Sequence, residues 1–359
     1  MRSLWKDLKF LLPAFVLWRV GIFFVEAAGR WWWPSKFLFL GTNPWANFDG
    51  LQYVVIATQG YLGYQQAYFP LYPMLIALVH VLSPGFPPVW TALIISHIAF
   101  FFGLLFFYQF AKSWGETAAR WSVVLLLAYP ASFYFASAYT ESLFFALAAG
   151  FFLSCQKKRF GIAAIFALLA SATRLFGVLL WPYLFWELLR NHKNIVLSFL
   201  APVGLIAYMV YLWHIRNDPL AFIHVQPHFG ANRTGGAIVL LPVVFWRYLK
   251  IFLTVSKTTF SYWVAVFEAA SFVFGAALGM FGFLNRKTRA LALYGLAVLL
   301  VPTLTGTLSS IPRYMLSAFP LFIVFAMVHN NRIKTAAVMV GIAGLTVATS
   351  LFLAGYFIS

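Results

Sequence analysis

The sequence predicts an all-α, polytopic membrane protein, and three observations predict it. Of the 359 residues, 63% are hydrophobic and only 9% are charged, a balance that cannot be folded around one aqueous core. Apolar runs recur along the whole chain, many near the length of about 20 residues that a bilayer core requires. The cations fall between those runs, at Lys157-Lys158-Arg159, from Arg190 to Lys193, at Arg286-Lys287-Thr288-Arg289 and from Arg332 to Lys334. That is the distribution of cytoplasmic loop anchors.

In chain order the runs are residues 8–28, 89–111, 121–136, 142–155, 195–213, 263–284, 290–308, 315–328 and 336–357. Residues 160–189 are too long for one upright span and are interrupted by Arg174, which predicts a bent helix or a tight hairpin. Segments 71–82 and 238–253 are short and read as interfacial or half-membrane helices. Together these elements predict roughly 10 to 12 membrane helices in one domain, residues 1–359, whose first outer loop at about 30–70 carries short interfacial helices. The run at 8–28 contains Arg19 and lacks a small-residue cleavage site, so it is expected to be retained.

The formal charge of +17 comes from 25 Lys and Arg against eight Asp and Glu. In a soluble protein such an excess suggests nucleic acid. Here the cations anchor loops, and no basic patch is interleaved with a soluble aromatic platform, so no nucleic-acid partner is expected. The single cysteine, Cys155, excludes an internal disulfide and a cysteine-built metal site. His214, His224 and His228 lie near one another, but Pro227 breaks the helix that would align two of them, and only Asp218 is a nearby acid. No metal and no cofactor are expected. Nor is there a glycine-rich phosphate loop, which argues against a nucleotide-sugar donor.

Placing the basic loops in the cytoplasm puts the Tyr139-Thr140-Glu141 turn, the Arg174 bend, the 218–233 loop and the 309–313 turn on the opposite face. Asp49 joins them if the N-terminus, with Arg2, Lys6 and Lys9, is inside; the parity turns on whether 71–82 crosses. With so few acids in the chain, a carboxylate beside apolar surface needs a chemical reason. Asp49 is the first such residue, within Asn47-Phe48-Asp49-Gly50-Leu51-Gln52-Tyr53.

Phe48-Asp49-Gly50, then Tyr53, Ile56-Ala57, Gly60-Tyr61 and Phe69-Pro70-Leu71-Tyr72-Pro73 resemble the first outer loop of PIG-V-type mannosyltransferases, the GPI mannosyltransferase-like family, and their bacterial or archaeal relatives in the GT-C superfamily of integral membrane glycosyltransferases. Tyr139-Thr140-Glu141-Ser142-Leu143-Phe144 looks like that family's second motif, and Ala172-Thr173-Arg174-Leu175-Phe176-Gly177 is similar to its third. Pro219, Phe222 and Gln226 followed by Arg233 resemble its large later loop, and Arg313-Tyr314 with Pro320 its last motif. The five motifs run in order over about residues 1–330. The chain departs from the family in carrying Phe48 where a Trp is usual, and Leu51-Gln52 where a pair is often aromatic.

The resemblance implies inverting transfer of a sugar, mannose by family habit, from a polyprenyl- or dolichyl-phosphate donor. The acceptor would be a lipid-linked, glycan or protein hydroxyl on the outer or lumenal face, and membrane lipids would be the surroundings. A compact chain without an added soluble domain fits a bacterial or archaeal plasma membrane. One displacement needs a base for the acceptor proton and cations for the departing phosphate. Asp49 is the catalytic candidate, while Arg313 and Arg174 can supply cations whose planar forks match phosphate oxygens. Glu141, Gln226, Tyr314, Tyr53 and Tyr72 complete the candidate substrate- and donor-binding set.

Other readings of the same residues stay open at this point. Asp49 can cap the helix that follows it, Glu141 can serve the first turn of its span, and Arg174 can pair with Glu141 inside the bundle. Arg313 can snorkel to headgroups, and Glu268 reads as a structural acid seeking a partner. The Tyr61, Tyr64, Tyr68, Tyr72 series and Trp31-Trp32-Trp33 fit an interfacial aromatic belt. A polytopic lipid or sugar transporter or flippase is the alternative function, though no second copy of the Asp49 segment is present, as an inverted repeat would require. A non-enzymatic scaffold would have little reason to keep Asp49, Glu141 and Arg313 together.

Overall fold

The computed structural model describes residues 2–29, 31–36 and 43–358. Residues 30 and 37–42, in the segment expected to form the first outer loop, lie outside the described residues. The described chain is helical throughout, with α1 (Arg2–Gly29), α2 (Asp49–Gln59), α3 (Leu71–Leu82), α4 (Pro88–Ala111), α5 (Glu116–Ala128) and α6 (Glu141–Gln156) in its first half. Then come α7 (Phe160–Ser171), α8 (Leu180–Arg190), α9 (Val203–Arg216), α10 (Ala221–His224), α11 (Leu241–Thr254) and α12 (Phe260–Leu284). The series ends with α13 (Arg289–Thr303), α14 (Ile311–Tyr314), α15 (Pro320–Ala326) and α16 (Asn331–Leu353). Among the described residues four helices, in α1, α4, α12 and α16, are long and apolar enough to cross a bilayer. Shorter apolar helices, such as α6 and α13, pack between them. Leu17, Phe24, Met280 and Val340 remain exposed on the outside of the bundle, as side chains facing lipid must. This is an integral membrane protein.

One end of the bundle gathers the basic clusters. Lys112 Nζ, just past α4, lies 2.7 Å from Asp7 Oδ1 near the start of α1, and Lys157 Nζ donates to Gln109 Oε1 at 3.4 Å. Lys334, at the start of α16, sits 4.9 Å over the Trp121 ring of α5 and donates to the Ala326 carbonyl of α15. Opposite ends of the same helices carry the other loops. Ser96 of α4 donates to the Tyr139 carbonyl, and Asn47 Nδ2 donates to the Phe352 carbonyl near the end of α16.

These contacts resolve the parity of the first loop. The final turn of α4 lies at the basic end, so its Pro88 start lies at the other. Leu71 begins α3 with its N–H on the Ala172 carbonyl, and Tyr72 donates to the Ala92 carbonyl of α4. Both ends of α3 therefore lie at the end away from the basic clusters, and α3 does not cross. The same holds for α11. Its start follows the Val239 N–H bond to the Leu304 carbonyl, and residues 255–259 join it to the start of α12, where Phe260 rests 5.1 Å from the Tyr356 ring.

The 160–189 segment is a tight hairpin. A 3₁₀ turn at Leu175–Leu179 reverses the chain between α7 and α8, and Tyr183 of α8 packs against Phe151 and Phe152 of α6. Gly177 makes the reversal possible, since a Cβ there would fall 2.2 Å from the Ala170 backbone. Two predicted runs are broken for a reason visible in the sequence. After α5 the chain turns at Pro130 into a 3₁₀ segment, Ser132–Ala136, and Pro202 separates the 3₁₀ segment Ile195–Leu200 from α9. Proline lacks the N–H that would continue the helix.

The expected topology can be tested with single cysteines in a Cys155→Ala background. Cysteines at Gly85 and Lys257, in the turns after α3 and α11, should react with a membrane-impermeant thiol reagent from one side, and those at Lys158 and Lys287 only from the other. Gly85 reacting on the Lys158 side would show that α3 crosses.

Candidate active site

A cavity of about 800 Å³ opens at the end of the bundle away from the basic clusters. Asp49, Tyr53, Tyr68, Arg174, Gln226, Arg233, Arg313 and Tyr314 all line it. Its floor is set by how α2 is held. Ala138 N donates to the Trp45 carbonyl at 2.9 Å, and Tyr139 Oη donates to the Asn47 carbonyl at 2.8 Å. Gly50 permits this close approach, because a Cβ there would meet the Tyr139 ring at 3.2 Å and the Ala138 oxygen at 3.3 Å. The segment before α2 is thus fixed against the turn that opens α6.

Asp49 then projects into the cavity with both oxygens engaged. Arg313 Nη1 donates to Oδ2 at 2.5 Å, and Tyr68 Oη donates to Oδ1 at 3.0 Å. Burial and then the Asp49 carboxylate push the Tyr68 phenol well above its ordinary range, so it stays a neutral donor. Burial works against the charge of Arg313, but the Asp49 and Glu141 carboxylates outweigh it and hold the guanidinium charged. Asp49 is therefore oriented by both partners with part of its surface still open, its side chain being 17% exposed.

A second ion pair lies beneath the first. Arg174 Nη1 donates to Glu141 Oε1 at 2.5 Å. Arg313 Nε lies 3.3 Å from the same oxygen, within ion-pair reach but off the axis of a hydrogen bond. The four charges form a chain, Asp49 to Arg313 to Glu141 to Arg174, that is neutral as a unit. The two arginines expected to face a phosphate are both held by carboxylates. Tyr134 and Tyr139 each place a ring 5.6 Å from the Arg313 guanidinium, adding a polarisable wall around it.

Backbone strain flanks both members of the Asp49–Arg313 pair. Phe48 has φ 55° and Ser310 has φ 70°, conformations that cost non-glycine residues on the order of 1–3 kcal/mol and gather at functional sites. Phe48 is also where the chain departs from the resemblance, and its ring packs on Phe352 and Phe357, which holds the turn entering α2.

Most of the candidate set meets at the cavity, but two members do not line it. Glu141 is buried below the lining, where it anchors Arg174 and Arg313. Tyr72 is fully buried, with its hydroxyl on the Ala92 carbonyl and Ser96, because the first turn of α3 packs against α4; it supports the loop and touches no cavity. Gln226 lines the cavity and receives Arg233 Nη1 at 3.4 Å. The three histidines disperse: His224 pairs with Asp218 at 2.7 Å, His228 stacks on Tyr64, and His214 stacks on Trp213. Glu268 finds its partner in Tyr248. Arg233 stands in a quoted motif and Tyr68 only in the tyrosine series read as an aromatic belt, so neither is in the candidate set.

Replacing Glu141 by Ala leaves two buried guanidinium groups short of a counter-ion and should destabilise the protein by about 3–5 kcal/mol. Tyr68→Phe removes one hydrogen bond and should cost only about 1 kcal/mol. Thermal unfolding in detergent measures both, and equal losses would contradict the layered arrangement.

The fold is similar to that of ArnT from Cupriavidus metallidurans bound to undecaprenyl phosphate, with a TM-score of 0.43 and 13% sequence identity over 95% of this chain and 77% of that chain. No family model matches the chain, and no curated protein matches it.

Proposed function

We propose that this protein is an inverting glycosyltransferase. It moves a sugar, mannose on the family resemblance, from a polyprenyl- or dolichyl-phosphate donor to a hydroxyl of a glycan, glycolipid or protein acceptor. The observation that carries the reading is Asp49: a carboxylate, aimed into a cavity by a tyrosine and an arginine, at the end of a membrane bundle opposite its basic loops. By the positive-inside rule that end faces the outside or the lumen.

The chemistry follows from the geometry. The Asp49 oxygens keep lone pairs beyond those used by Tyr68 and Arg313, and these can accept the proton of an acceptor hydroxyl. The hydroxyl becomes acidic as its oxygen bonds to the anomeric carbon, so its proton passes to Asp49 in the course of the displacement. The phosphate departs as an anion and needs no proton from an acid. Tyr53 and Tyr314 offer aromatic faces and hydroxyls for sugar contact, and Gln226 offers an amide near the rim.

Asp49→Asn keeps the shape of the side chain and removes the base. Turnover per folded protein should fall by about 100- to 10,000-fold, and the melting temperature in detergent should also drop, because Arg313 loses its paired carboxylate. The assay is transfer from a polyprenyl-phosphate sugar in purified membranes, with the sugar and acceptor first found by mass spectrometry of lipid-linked glycans from cells with and without the protein. Near-wild-type turnover of a folded Asp49→Asn variant would sink the assignment.

A further inference from the structure

Arg174, Arg233 and Arg313 are the arginines that line the cavity, and they differ in one respect. Arg174 and Arg313 are neutralised by Glu141 and Asp49. Arg233 meets no carboxylate at ion-pair distance among the described residues. Its partners are neutral and at long range: Ser310 Oγ at 3.1 Å, Ser309 Oγ at 3.3 Å and Gln226 Oε1 at 3.4 Å. Glu268, the acid whose field it enters, is buried and accepts from the Tyr248 and Ser309 hydroxyls. A guanidinium held by hydroxyls and an amide is oriented without having its charge cancelled, so it remains available to an anion.

The local fold keeps it there. Gly230, Ala231 and Asn232 take positive φ values of 72°, 54° and 52°, reversing the chain just before Arg233. Thr234 N then donates to the Thr305 carbonyl, and Val239 N to that of Leu304. The wall beside the cation is apolar, formed by Ile238, Val301, Pro302 and Leu304. It does not end inside the protein: Ile238 is 73% exposed and Leu240 65% exposed, at the entry to α11, which lies along this end of the bundle. A fixed cation at the inner end of an apolar track that runs outward is complementary to an anionic head on a hydrocarbon chain.

We infer that Arg233, oriented by the Ser309 and Ser310 hydroxyls, forms the phosphate subsite for a lipid phosphate whose chain leaves along Ile238 and Leu304. The inference rests on the reading of the cavity as the site of a lipid-linked donor and moves the phosphate contact away from Arg313. Arg313 then holds Asp49 in place, and Arg233 receives the ligand.

The test is equilibrium binding of farnesyl phosphate to the purified full-length protein in nanodiscs, with farnesol and inorganic phosphate as the other two arms. Farnesyl phosphate should bind more tightly than either. Arg233→Gln should weaken it by about 10- to 100-fold, the range for losing hydrogen bonds to a charged group. Arg233→Lys, which keeps the charge and is the variant expected to fold without loss, should weaken it by about tenfold through loss of the fork. Arg216→Gln, an exposed cation outside the cavity, should bind like the wild type. Unchanged affinity in a folded Arg233→Lys variant overturns the subsite, and inorganic phosphate binding as tightly as farnesyl phosphate overturns the lipid track. Binding needs no turnover, so the two readings fail separately. Arg233-dependent binding by a protein that transfers no sugar would refute the enzyme and keep the subsite. Transfer with Arg233-independent donor affinity would do the reverse.

Discussion

The Asp49–Arg313 ion pair joins residues 264 positions apart, and the rest of the site depends on it. It links the first outer loop to the turn before the last two helices, so the cavity is closed between the beginning and the end of the chain. Charges taken from water into this bundle are tolerated only when paired and hydrogen-bonded. The pair meets that requirement with Tyr68 on one side and Glu141 on the other. Neither Asp49 nor Arg313 can shift alone, because each would leave the other as an uncompensated charge. The cost of holding Phe48 and Ser310 at positive φ is met from the same source.

This constraint accounts for the unequal regularity of the two ends of the bundle. At the basic end helices finish in short turns such as 157–159 and 285–288. At the cavity end they break early, into the 3₁₀ segments Ser132–Ala136 and Leu175–Leu179 and the single turn α14. Irregular backbone at membrane depth needs protein or a polar cavity to satisfy its free groups. Here the freed groups find each other: Ser142 Oγ bonds the Phe135 carbonyl, and Leu308 N bonds Tyr248 Oη. Helices α3 and α11, which begin and end at this same level, widen the rim that the cavity requires without adding a crossing.

Much of this was legible in the sequence because membrane composition and charge placement are global signals. The fold class and the basic end follow from hydropathy and cation spacing, which also require a break in 160–189 but leave a bent helix and a tight hairpin equally open. Asp49, Tyr53, Arg174, Gln226, Arg313 and Tyr314 were singled out by their motifs, and all line one cavity. What stayed hidden was pairing across the chain. A motif marks Arg313, in the turn between two apolar runs, as a site candidate, but not that its partner is Asp49 rather than a ligand. Tyr72 lies in the same tyrosine series as Tyr68, four residues on, yet the start of α3 turns one hydroxyl into the core and leaves the other on Asp49. Hydropathy is equally blind to helix breaks, although Pro130 and Pro202 announced two of them.

The charge arrangement has a further consequence for how such a site can work. Four of its ionised groups cancel, so the cavity floor presents oriented dipoles and little net field. Arg233 lies outside that set and meets no carboxylate at ion-pair distance among the described residues. An enzyme that placed a free arginine directly against its catalytic base would suppress the base and attract the anionic ligand to the wrong carbon. On the proposed reading, confining the cancelled charges to the floor and Arg233 to the wall beside Ile238 and Leu304 separates proton acceptance from phosphate binding. On that reading the separation lets an anionic lipid donor and a neutral hydroxyl acceptor approach the same anomeric carbon from opposite sides, which is the geometry that inversion demands.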